Sequence, residues 1–361
     1  MPDRVLMVTW DGGGNVGPTV ELGARLAARD VAVGAYGPAS LAGRFGAAGL
    51  GYEVRDVPDP WDAAAMAGDV AAACERAGAD VAVVDYMLPG ALLGAMAAGR
   101  PAVALVHTLY GALLADGAPH PMGMAATVEV LDAVAAGRRL DPVNRMGDVL
   151  DRCARVVVTA PAALDAPGPW PDNVVHVGAV LEGPGPDAGW CPPVPPDGVG
   201  GRPLVVVSLG TTPMDEGPVV DAVLGALAGA PVAVLALLGA HLDPATLTVP
   251  ANATVAGYLR HAAVLPHAAA TVCHAGLGTV LASLAAAVPL VCLPLGRDQP
   301  ATAAAVARVG AGLALDPRAA DAGAIRDAVG AVVAGGGYRT AAATIGAPAS
   351  GPAADAVLAV F

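Results

Sequence analysis

The feature that most constrains this chain is a set of short segments in which every residue is apolar, rather than every second one. Val5-Leu-Met-Val8, Val81-Ala-Val-Val84, Ala102-Val-Ala-Leu-Val106, Val156-Val-Val158, Leu204-Val-Val-Val207 and Val232-Ala-Val-Leu-Ala-Leu-Leu238 all have this character. A strand with one face in water alternates apolar and polar residues, whereas an unbroken apolar run needs cover on both faces. Between the runs lie Ala-rich stretches with helical apolar spacing, such as 19–29 and 217–227. Strand–helix alternation predicts doubly wound parallel sheets.

Taken in order, Arg4–Trp10 reads as the first strand and breaks into Asp11-Gly-Gly-Gly-Asn-Val-Gly-Pro18. Further strands are expected at Val31–Tyr36, Ala79–Asp85, Pro101–His107, Arg155–Thr159 and Val174–Gly178. Asp85 and His107 therefore stand at strand C-terminal ends, where ligands of open α/β sheets bind. Residues 109–151 are irregular and include Met122-Gly-Met124, a length of connection that often hosts a pocket. The proline-dense stretch Gly183–Pro196 cannot continue a helix or central strand and reads as a semi-rigid linker. The same grammar then restarts at Leu204, with strands at Val232–Leu238 and Thr254–Gly257, and Gly351–Phe361 reads as a last short helix. The expected division is 1–182, a linker over 183–202, a second domain over 203–345, and a helix within 346–361 that packs back on the first domain. Two Rossmann-like halves facing across a cleft are predicted.

The second half contains the most informative stretch. Ala270-Thr-Val-Cys-His-Ala-Gly-Leu-Gly-Thr-Val-Leu-Ala-Ser-Leu284 reads as a strand, a glycine turn and a helix. A second strand follows and ends in Gly296-Arg-Asp-Gln299. A helix N-terminus offers unpaired backbone N–H groups and the positive end of a dipole, which together suit phosphate. His274 and Thr279 add side-chain donors, and an acid and an amide beside them suit hydroxyl groups.

The formal net charge of −13 excludes a nucleic-acid or anionic-membrane surface, though not a single nucleotide. Hydrophobic residues make up 55%, but aromatics only 3%, which suits tightly packed Ala-rich helices on Val-rich strands. The cysteines at 74, 153, 191, 273 and 292 have no metal-type spacing and read as reduced, mostly buried thiols. No apolar run is long enough to span a membrane and no leader precedes the first strand, so a cytoplasmic protein is expected.

Cys273-His-Ala-Gly-Leu-Gly-Thr279 with Gly296-Arg-Asp-Gln299 resembles the nucleotide-sugar-dependent glycosyltransferases of the GT-B fold, in particular bacterial natural-product members. The resemblance is strongest over 204–315. It implies that His274, Gly276, Gly278 and Thr279 hold the diphosphate of a TDP- or UDP-sugar, joined by Ser208 and Thr211. It implies Asp298 and Gln299 on the donor sugar, Tyr258 stacked on the base, and Leu259 pairing its backbone with the base edge. No metal and no cofactor beyond the sugar nucleotide are implied. The implied partners are the donor and a small apolar acceptor, and the resemblance leaves room for a homodimer.

The first glycine loop departs from the resemblance. That family has a histidine base where this chain has Asn15, and an amide does not accept a proton at neutral pH. Asp85 matches the aspartate that orients the base, and His107 and Asp11 are the other candidates in reach. An inverting transfer to a small natural product is the expected function, with C- or N-glycosylation favoured by Asn15. The alternative is a non-catalytic, sugar-nucleotide-binding partner. A same-fold 2-epimerase and a nicotinamide dehydrogenase fit less well, the latter for want of a G-x-G-x-x-G loop.

Overall fold

The computed structural model describes residues 2–55, 59–113, 126–194, 198–210, 214–239, 242–346 and 352–360. The first sheet contains β1 (Arg4–Val8), β2 (Ala32–Gly37), β3 (Gly51–Val54), β4 (Val81–Asp85), β5 (Ala102–Val106), β6 (Arg155–Val158) and β7 (Val174–His176). The second contains β8 (Leu204–Ser208), β9 (Ala233–Leu237), β10 (Ala253–Ala256), β11 (Ala268–Cys273), β12 (Leu290–Cys292) and β13 (Gly312–Ala314). Their orders are β3-β2-β1-β4-β5-β6-β7 and β10-β9-β8-β11-β12-β13, and every pairing is parallel.

In both sheets the chain runs outward from its first strand, then returns to place its fourth on the other side of the first. This is the doubly wound Rossmann order. The loops leaving β1 and β4 therefore diverge, as do those leaving β8 and β11, and each divergence opens a crevice at the strand C-termini. All the polar clusters described below begin at these two points.

Burial follows the unbroken apolar runs. Val205 and Val207 pack into one core with Val223, Leu224, Ile325 and Val329, while Leu204 and Val206 face another with Val264 and Leu265. Both faces of β8 are thus dry. In the first unit, Val5, Met7, Val81 and Val83 pack against Leu22, Leu26 and Phe45. Small residues bring helices close: a methyl at Gly90 or Gly94, in the helix Pro89–Ala97, would come within 2.4 Å of the Ala63 or Ala67 carbonyl oxygen of the helix Ala63–Ala77.

The chain divides into one unit of Met1–Ala162, Ala166–Val180 and Ala349–Phe361, and another of Ala163–Asp165 and Leu181–Pro348. The C-terminal helix Pro352–Leu358 seats Ala353, Ala354 and Val357 in the first core, and Asp355 pairs with Arg29. The proline-dense stretch is held by the second unit. Asp187 accepts the Arg260 backbone N–H at 3.0 Å, and the Trp190 ring lies 5.7 Å from that of His267. Residues 109–151, expected to be irregular, contain helices at Tyr110–Leu113, Val128–Gly137 and Gly147–Asp151, while Met122–Met124 lies outside the described residues.

Candidate functional site

The second unit's cluster starts where β11 ends. His274 leaves the strand, Ala275 turns the backbone with φ 64°, and Gly276 precedes the helix Leu277–Ala285 at φ −61° and ψ 132°. The left-handed residue of this glycine turn is thus an alanine, at a cost of roughly 1–2 kcal/mol. Gly276 is needed for room: a Cβ there would lie 2.5 Å from Nε2 of His274. Gly278 is exposed, with nothing within 4 Å of a Cβ placed on it. No side chain caps the helix, so its first N–H groups point outward with the dipole.

His274 lies against Gly210 as well, at 3.2 Å from the Cβ position there. Its Nδ1 is buried and has no hydrogen-bond partner among the described residues. Burial pushes its pKa down, partly opposed by the nearby Ser208 backbone and then by the Asp298 carboxylate. A bound anion would act against this shift. Ser208, at the end of β8, is 3.1 Å through Oγ from Nε2 of His261. The His261 pKa is pushed down to about 4 by desolvation and then by His274.

The first unit's cluster sits at the matching point. Asn15 precedes the helix Val16–Ala27, yet its side chain does not cap it. Nδ2 instead donates to Asp85 Oδ2 at 2.7 Å and to the Trp10 carbonyl at 2.9 Å, with Thr9 Oγ1 at 3.3 Å. Oδ1 accepts the Gly12 N–H at 3.1 Å. Asp85 also accepts the Met87 N–H at 2.9 Å, and Nε2 of His107 lies 3.2 and 3.1 Å from its two oxygens. The Tyr86 ring meets the His107 ring edge-on at 4.9 Å. Among the described residues no group of three or more His, Cys, Asp or Glu could hold a metal ion, and no helix is long and apolar enough to cross a membrane.

Residues 221–358 match the family described as erythromycin biosynthesis protein CIII-like, C-terminal domain. A PGL/p-HBAD biosynthesis rhamnosyltransferase of Mycobacterium bovis is 36% identical over 176 residues, which cover 48% of this chain and 37% of that protein. The crystal structure of the calicheamicin glycosyltransferase CalG4 superposes with a TM-score of 0.79 at 25% identity, covering 99% of this chain and 98% of that one. The glycosyltransferase VinC, in complex with dTDP, superposes at 0.75 with 18% identity and 99% and 98% coverage. The chain has the GT-B fold of these glycosyltransferases, and it spans well under half the length of the curated relative it matches.

For a GT-B chain the remaining expected site residues fall unevenly. Tyr258 is 61% exposed, so it is not packed into the strand end, while Leu259 is half-buried against the second unit's core. Asp298 is half-buried ahead of the helix Gln299–Arg308 and does not cap it. Gln299 is turned inward: its Oε1 accepts the Leu295 and Gly296 N–H groups at 2.7 and 3.1 Å, and its Nε2 lies 3.1 Å from the Met214 sulfur. That amide shapes the loop carrying Asp298. Asp11 is exposed and accepts the Ser40 hydroxyl at 2.7 Å. Thr211 lies outside the described residues. Sequence reasoning missed His261, whose only signal was its place three residues after Tyr258.

Proposed function

We propose that this chain is an inverting, metal-independent glycosyltransferase that uses a TDP- or UDP-sugar and a small apolar natural-product acceptor. One observation carries the reading: a buried histidine nitrogen without a hydrogen-bond partner among the described residues, beside an uncapped helix N-terminus at the switch point of a Rossmann sheet. A diphosphate supplies what both lack. The acceptor atom forms a bond to C1 of the sugar as the bond from C1 to the β-phosphate oxygen breaks. The diphosphate leaves with the electron pair, and its growing charge is met by the helix N–H groups, Thr279 and His274. Asp298 is the carboxylate assigned to the sugar hydroxyls, on a loop held by Gln299, and exposed Tyr258 offers a face to the base. The dTDP bound to VinC supports the choice of nucleotide.

The test is acceptor-dependent release of nucleoside diphosphate from dTDP-glucose and UDP-glucose over a panel of phenols and aliphatic alcohols. His274→Ala is expected to lower turnover by about 10²-fold or more, the scale of losing one charge-stabilising donor. Unchanged turnover sinks the assignment of His274. No acceptor-dependent release by the parent protein with any member of the panel would leave a binding protein instead of a transferase.

A further inference from the structure

We propose that His261 is a positioning residue for the diphosphate site of the second unit, acting through Ser208. Its Nε2–H donates to the Ser208 hydroxyl, which is thereby set to give its own proton to a phosphate oxygen. The inference rests on the reading of the turn after β11 as a diphosphate site and names the group that orients one of its donors.

The alternation of side chains along β8 puts Leu204, Val206 and Ser208 on one face. Leu204 and Val206 lie in the core that also holds Val264 and Leu265, and His261 opens the short helix His261–Val264 one turn before them. Ser208 and His261 are thus the polar end of an otherwise apolar contact between strand and helix, with Oγ 3.1 Å from Nε2. The mount of the ring is tied down from behind. Asp187 accepts the Arg260 N–H at 3.0 Å, and the Arg260 carbonyl accepts the Ala263 and Val264 N–H groups at 2.9 and 3.3 Å. The helix Leu277–Ala285 meets the same core through Ala282 and Ala286. Its uncapped N-terminus follows Cys273, which is in register with Ser208. The Ser208 hydroxyl and the free helix N–H groups therefore gather at one end of the sheet.

Proton accounting then fixes the role of the ring. A hydroxyl has one proton to give, and an ionised phosphate oxygen can only accept. Among the described residues the Ser208 hydroxyl has His261 as its one partner. If Ser208 donated to Nε2, it would turn only lone pairs toward a phosphate. If Nε2 carries the proton, Ser208 accepts from the ring and its own hydrogen is free for the ligand. Filling the site selects the second arrangement, with the imidazole lone pair on Nδ1. The ring does this without charge, since desolvation and then His274 push its pKa down to about 4. Ser208 is 6% exposed, so a wrongly aimed hydroxyl has little water to turn to.

Two measurements on the full chain decide it. The first is calorimetric titration with dTDP across a double-mutant cycle, with thermal melts checking that each variant folds. His261→Leu is expected to weaken dTDP binding about 10-fold or more, the scale of one hydrogen bond to a charged group. His261→Gln keeps a side-chain N–H and is expected to recover most of that loss. Ser208→Ala should lose as much as His261→Leu, and combining the two should cost nothing further, because the ring acts through the hydroxyl. A ring that mattered only for packing would cost affinity with the hydroxyl absent as well. That additive outcome, or parent-like binding by His261→Leu, overturns the inference and leaves the diphosphate reading standing. The second is ¹⁵N NMR of histidine-labelled parent protein, with the His261 signals assigned by their loss in His261→Gln. Protonated Nε2 and unprotonated Nδ1 are expected with dTDP bound, and the opposite tautomer overturns the inference. Binding of neither dTDP nor UDP by the parent overturns the diphosphate reading, and the inference with it.

Discussion

Two glycines that sequence alone would treat alike, Gly276 and Gly278, are predicted to respond to alanine in opposite ways. Gly276 has φ −61° and ψ 132°, a conformation any residue adopts, so Gly276→Ala adds no backbone strain. Its methyl would stand 2.5 Å from His274 Nε2, and ordinary contact begins at 3.4 Å, so the ring must retreat by at least about 0.9 Å. Retreat is restricted, because Gly210 already borders the same ring. Overpacking of this kind costs about 1–3 kcal/mol, and a displacement near 1 Å at a reacting centre costs on the order of 10²-fold in rate. Gly278→Ala meets nothing within 4 Å and lies in the first turn of a helix, where losing glycine stabilises by up to about 1 kcal/mol. Its methyl does occupy the open approach to the helix N-terminus. Thermal melts and calorimetric titration with dTDP separate the two effects. Gly276→Ala is expected to melt a few degrees lower, at about 2–4 °C per kcal/mol for a unit this size, with turnover down ~10²-fold. Gly278→Ala is expected to melt slightly higher while binding dTDP at least ~10-fold more weakly. A Gly278→Ala protein that binds dTDP as tightly as the parent would refute the placement of the diphosphate over this turn.

Tyr258→Ala should leave the melting temperature within the small range of exposed substitutions, since the ring is 61% exposed. Nucleotide affinity should fall by roughly 1–3 kcal/mol, the worth of one stacked base, and equal affinity would remove Tyr258 from the site. The depressed His261 pKa of about 4 gives a pH prediction. In the unfolded chain this histidine takes up a proton near 6.5, whereas the folded protein refuses it down to about 4. Stability is therefore full above about pH 6.5 and falls by about 3 kcal/mol as pH drops to 4. Melts over that window should show a shallower slope for His261→Gln, and parallel slopes would count against the buried neutral ring.

The strands legible in sequence were those buried on both faces, because β1, β4, β5 and β8 announce themselves as unbroken apolar runs. β3 was not, since Gly51–Val54 is largely exposed, and β13 is only three residues beginning with glycine. The turn after β11 was legible as a turn, but its left-handed residue was hidden: packing around His274 places that conformation on Ala275, which carries no local signature for it. Residue type did not reveal that the Gln299 amide holds the Leu295 and Gly296 N–H groups. The Asn15–Asp85 bond spans 70 residues in sequence, and only the adjacency of β1 and β4 brings its partners together. Strand-end position marked Asp85 and His107 separately; their contact needed the sheet order.

The first unit's core is interrupted in an unusual place. Ala353, Ala354 and Val357 belong to it, although Leu181–Pro348 of the second unit intervenes between them and β7. During synthesis the second unit can therefore complete its sheet before the first has received its last apolar side chains. The earlier-made half must wait as a nascent, partly open core until the final helix docks, exposing Val5, Leu22 and Leu26 surface to chaperones in the meantime. Chain breaks ahead of residue 352 would consequently register as defects in the half made first, at the far end of the gene from the lesion.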